Sequence, residues 1–202
     1  MTGLDGGQRP LLTPPAADDW GPDEYAAVGA LFGVPADDVP RAGSGHPRDP
    51  LNFDILGVLA RHPRMAREFL VYNGFLLQRG ELPLRLRELV VLRLAHARRS
   101  AFFWAEHYRV AASGGVSEED IARLARGNDE FDGVDRLVLE ATGEMLDDAR
   151  VQPETWNRLV EYLGTHQAME VIFVFGTYAL LALAMETWQL TPPPGGPALP
   201  AG

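Results

Sequence analysis

The chain has 202 residues, 46% of them hydrophobic and 23% charged, a balance that suits one globular unit with a sizeable core. Its formal net charge of −10 sets a field of the wrong sign for gripping phosphate backbones, which disfavours a nucleic-acid partner. Cysteine is absent and all 18 basic residues are arginine, so disulfides, thiolate nucleophiles, thiolate metal ligands and lysine Schiff bases are excluded together.

Residues 1 to about 49 alternate Pro and Gly clusters with short apolar pieces, and Thr191 to Gly202 read TPPPGGPALPAG, so both ends are expected to be loosely ordered. Met1 runs into Thr2, Gly3, Leu4 and Asp5 with no charged-then-apolar leader, and a cytoplasmic location is the expectation. Asp18 and Asp19 ahead of Pro22 resemble a helix start, with Tyr25, Val28, Leu31 and Phe32 as a short apolar face. Asn52 is placed to cap a segment through Ala60, and Pro63 suits the first turn of the next helix, where Met65, Phe69, Tyr72, Leu76 and Leu77 recur at helical spacing.

Pro83 opens a helix rich in Leu and Val to about Arg98, and another runs from about Ala101 to the stop at Gly114 and Gly115. Ser117 with Asp120 has the form of a capping box before Ile121 and Leu124. Two further helices are expected over roughly 132–147 and 153–163. Ala168 to Met185 is the most apolar segment and invites a transmembrane reading, but it holds Glu170, Gly176, Thr177 and Tyr178 and has no similar partner. A buried central helix accounts for it, and no membrane partner is expected. Strand alternation, internal repeats and nucleotide-binding glycine motifs are missing, so the fold class is all-α, an orthogonal or layered multi-helix bundle. The apolar surface of 168–185 and 84–94 exceeds what one helical layer hides, which predicts a homo-oligomer, dimer or trimer.

Of the five histidines, His46 lies in a Gly/Pro loop and His62 at a helix junction, both positions for solvated or capping groups, and His166 beside Gln167 suits a structural role. His96 and His107 remain, both within ELVVLRLAHARRSAFFWAEHYRV. Phe102, Phe103, Trp104 and Tyr108 surround His107 in sequence, enough to wall an apolar pocket around a titratable imidazole. The same residues also fit an aromatic core knot with a hydrogen-bonded histidine.

No metal is predicted, because neither histidine has a partner one helical turn away. Ser100 precedes His107 without a nucleophile elbow and is placed to cap the helix that carries it. From Arg79 to Arg109 seven arginines stand against Glu81, Glu88 and Glu106, a locally basic segment that would attract a small anion. Arg85, Arg98 and Arg99 equally suit a solvated face paired with acids elsewhere, whereas Arg93, embedded in VVLRLA, is expected to be buried and paired.

The run from Leu82 to Gly115, LPLRLRELVVLRLAHARRSAFFWAEHYRVAASGG, resembles the signature of the carboxymuconolactone decarboxylase family, which also contains the alkylhydroperoxidase D proteins. The likeness extends from about Leu51 to Leu190, through LNFDILGVLARHP, VSEEDIARL, DRLVLEATGEMLDD and VIFVFGTYALLALAME, and divides the chain into a segment 1–49, a family-like helical domain 50–190 and a tail 191–202. The hydroperoxidase branch reads Glu, eleven residues, Cys, two residues, Cys, three residues, His; here Glu88, Ser100, Phe103 and His107 occupy that frame without a gap. The dithiol is gone. The decarboxylase-like branch reads Ser-Glu-Tyr-Glu-Trp, two residues, His; this chain keeps Ser100, Trp104 and His107 and lacks both acids.

The resemblance implies a cofactor-free helical enzyme that moves protons on a small carbonyl or carboxylate compound, decarboxylase/lyase-like or isomerase/cyclase-like, in aromatic catabolism or secondary metabolism. In that scheme His107 is the acid/base and Glu88 orients it. Arg93 or a nearby arginine would bind the substrate anion, with Tyr72, His96, Ser100, Phe103, Trp104 and Tyr178 as further substrate-binding residues. The rival reading is a non-catalytic ligand-binding or scaffold protein that retains the fold.

Overall fold

Pro22, whose fixed φ suits a first helical turn, opens α1 (Pro22–Phe32), and Glu24 folds its carboxylate back to accept from Gly21 N–H at 2.8 Å. The computed structural model describes residues 10–126, 130–192 and 195–200, so the first nine residues of the expected N-terminal segment and residues 193, 194, 201 and 202 of the expected tail lie outside the described residues. The described chain forms two compact units, residues 10–79 with 187–190, and residues 80–126 and 130–186 with 191, 192 and 195–200. Within the first unit the N-terminal segment shares a core with the next two helices.

In the first unit, α1 packs on α3 (Pro63–Gln78) around Trp20, Val28, Leu31, Leu59 and Leu70, with α2 (Asp54–Leu59) beside them. The helices approach so closely that a Cβ on Gly74 would lie 2.5 Å from the Leu31 carbonyl oxygen. Asn52 does not cap α2: it closes a 3-10 turn, Pro50–Asn52, whose cap is Asp49, accepting from Leu51 N–H at 2.9 Å. His62 does cap, its Nδ1 accepting from Met65 N–H at the start of α3 at 3.3 Å.

In the second unit, α4 (Leu84–Ala97) buries ten of its fourteen residues, Arg87, Glu88 and His96 among them, and takes the centre. It packs against α5 (Ala101–Ser113), α6 (Glu118–Leu124) and α7 (Gly133–Asp148). Arg85 joins three of these helices through Asp120 at 3.0 Å and Asp135 at 2.7 Å. Ser117 and Asp120 form the expected reciprocal cap of α6. Among the described residues every regular element is helical, and the fold is all-α.

The last helix, α8 (Pro153–Trp188), breaks at Gly164, whose φ of 78° and ψ of 164° fall where essentially only glycine is comfortable. The break separates the limbs expected at 153–163 and 168–185. The second limb is apolar and long enough to cross a membrane by composition, yet only half of its most apolar window is buried. The expected central helix is therefore α4 rather than this one, which leaves Met169, Ile172, Phe173, Leu180 and Leu183 exposed along one side. Glu170, the acid inside that apolar run, is buried, and its carboxylate accepts from Glu81 N–H at 2.8 Å and Leu82 N–H at 2.7 Å. It anchors the turn that launches α4.

Candidate active site

Glu88 sits in the middle of α4 with no exposed surface. A carboxylate without water is costly unless each oxygen has a charged or donor partner. Oε1 accepts from Arg87 Nε at 3.1 Å, and Oε2 lies 2.7 Å from Nδ1 of His107 on α5. The pair expected from the family frame is thus in direct contact, nineteen residues apart in sequence.

The imidazole is fixed by rings as well as by charge. Phe103, one turn earlier on α5, has its centroid 5.6 Å away, and Tyr178 of α8 stands edge-on at 4.8 Å with an interplanar angle of 89°. Phe103 and Tyr178 also meet each other at 5.6 Å. Burial, and then the charge of Glu88, push the Tyr178 phenol well above its ordinary range, so it stays protonated. His107 keeps 12% of its side chain exposed, and among the described residues Nε2 has no recorded hydrogen-bond partner.

This arrangement has defined chemical capacity. With Glu88 anionic, Nδ1 donates to it and Nε2 is the basic nitrogen; when Nε2 takes a proton, the imidazolium stays paired with the carboxylate. Sequence reasoning missed Arg87: it directed the buried, paired arginine to Arg93, while the signal for Arg87 was its place beside Glu88 in a Leu- and Val-rich run.

The other candidate residues fall elsewhere. His96, Ser100 and Trp104 form a second group at the α4–α5 junction, with the His96 and Trp104 rings 6.0 Å apart. Their polar atoms Nε2, Oγ and Nε1 are buried, with no hydrogen-bond partner among the described residues. Ser100 holds the N-cap position of α5, but its hydroxyl makes no cap bond, contrary to its expected role. Burial and then the charges of Arg93 and Arg99 lower the His96 pKa, so the ring is neutral near pH 7.

Arg93 is half-buried rather than buried and ion-paired; Nη1 reaches only the Leu124 carbonyl at 3.4 Å. Tyr72 lies on α3 in the first unit. Among the described residues no group of three or more His, Asp or Glu side chains is placed to hold a metal.

Comparison with curated proteins and with solved structures finds no match. A family comparison does: the matched stretch spans α3 to α7 and includes Glu88, Ser100, Phe103 and His107, ending before the helix that supplies Tyr178. Residues 63–144 match the model of the Carboxymuconolactone decarboxylase family, the family that the sequence resembles.

Proposed function

We propose that the chain is a cofactor-independent small-molecule enzyme in which the His107–Glu88 pair moves a proton on a carbonyl or carboxylate compound. The observation that carries this reading is the 2.7 Å contact between His107 Nδ1 and a fully buried Glu88 carboxylate, in a segment matching a family that includes decarboxylases. A purely structural histidine needs no such arrangement, since a neutral acceptor would satisfy Nδ1 without burying a charge.

In this scheme Nε2 removes a proton from a carbon beside a carbonyl, leaving an enolate, and returns it at another position for an isomerase or cyclase. In a lyase it delivers the proton to the carbanion left when carbon dioxide departs. Phe103 and the un-ionised Tyr178 form the apolar wall beside the imidazole. Absence of cysteine removes dithiol-dependent peroxide reduction from the options.

The working form is proposed to be a cytoplasmic homo-oligomer, with a second copy covering the apolar side of α8. The test of function is a turnover screen against small carboxylates and lactones, with His107→Gln and wild type measured on equally folded samples. Turnover confined to the wild type supports the enzyme. Binding of such compounds without turnover in either protein would favour a ligand-binding protein instead.

A further inference from the structure

We infer that a second cleft, walled by α4, the start of α7 and the first limb of α8, binds a small organic oxyanion at a site separate from the Glu88–His107 pair. The cleft encloses about 660 Å³, within the range of small-molecule sites, and its lining includes none of Glu88, Phe103, His107 or Tyr178.

Three arginines face it from three helices: Arg93, Arg136 and Arg158. In a protein of net charge −10 their convergence is a local reversal of field. Arg158 is already spent on Glu140, with Nη1 3.1 Å from each carboxylate oxygen. Arg136 has interactions of its own. Arg93 differs: it is half-buried, among the described residues no carboxylate holds it, and its Nη1 bond to the Leu124 carbonyl is long at 3.4 Å. Its guanidinium is therefore open to pairing with a ligand oxyanion at the cleft.

The first turn of α7 begins in the same wall and carries the carboxylates of Asp132 and Asp135. Asp132 and Glu140 leave the lining with an excess of one positive charge, which fits one compact carboxylate or phosphate group and not a polyanion. Tyr162, 66% exposed at the cleft, supplies an apolar face for the body of the ligand.

The test is isothermal titration of the full chain at low ionic strength with inorganic phosphate and, separately, with phthalate. Saturable binding of at least one probe is expected, weakened about tenfold or more by Arg93→Gln and retained by His107→Gln. Phthalate binding that Tyr162→Ala weakens would identify a carboxylate with an aromatic body, and tighter phosphate binding indifferent to Tyr162 would identify a phosphate ester. Melting curves on each variant separate loss of the site from loss of the fold. No saturable binding of either probe at millimolar concentration, or binding unchanged in a folded Arg93→Gln variant, overturns the inference. So does binding that vanishes in His107→Gln, because the anion would then belong to the acid/base pair.

Discussion

His107 Nδ1 lies 2.7 Å from Oε2 of Glu88, a carboxylate with no exposed surface, and the opposite oxygen of that carboxylate is held by Arg87. The three side chains behave as one buried charged unit, so removing the middle member should cost more than removing either end. Glu88→Gln keeps the shape but removes the carboxylate between Arg87 and His107; urea unfolding should show a loss of about 3–5 kcal/mol, the usual result of breaking a buried pair. A Glu88→Gln unfolding midpoint equal to wild type would contradict the pairing.

Glu170 tests whether the acid within the apolar limb of α8 is an anchor. Glu170→Ala removes the acceptor of the Glu81 and Leu82 amides, and about 2 kcal/mol or more should be lost, since each buried donor left unpaired costs about 1–3 kcal/mol. Hydrogen exchange gives the specific readout: those two amides should exchange faster than others in the unit. Unchanged protection at both would show that the carboxylate does not hold this turn.

The lowered pKa of His96 has a signed consequence. In the unfolded chain the ring titrates near its ordinary value of 6.5, whereas in the folded protein it resists protonation. The folded state therefore binds fewer protons, and stability is greatest above that pH and falls as pH drops through it. Chemical denaturation at stepped pH should show that acid-side slope, and His96→Gln should flatten it. An identical slope in the variant would move the effect to another group.

The exposed side of α8 carries Met169, Ile172, Phe173, Leu180 and Leu183, with open space above Gly176. Three- and four-residue spacing aligns them into a stripe of the kind that another helix covers. Light scattering should give a mass at least double the 22.1 kDa of one chain, and Phe173→Asp with Leu183→Glu should reduce it to one chain without loss of helicity. A wild-type monomer at micromolar concentration would leave the stripe without a self-partner.

Much of this fold was legible because its punctuation is chemical and local. Pro22, Pro63, Pro83 and Pro153 each open or immediately precede a helix, Ser117 and Asp120 form a reciprocal cap, and Gly164 breaks the last helix where the pattern changes. Glu88 and His107 were legible from the family frame and their aromatic setting. What stayed hidden depends on which helix lies beside which. Periodicity could not show that α4 rather than the more apolar α8 is central, because an exposed apolar stripe looks in sequence like a buried one. Nor could it show that Arg87 rather than Arg93 turns onto a buried acid, since both sit in the same Leu-rich run and only the packed neighbours tell them apart.

The central claim, that the His107–Glu88 pair moves a proton, is tested most directly by turnover of His107→Gln beside wild type on the substrate found by screening, with the melting temperature of each sample recorded. Glutamine can still hydrogen-bond to Glu88 but cannot exchange a proton near neutral pH. The account predicts a folded variant whose turnover is lower by about 10²–10⁴-fold, the range for a positioned acid/base group. Full turnover in a well-folded His107→Gln protein would contradict it.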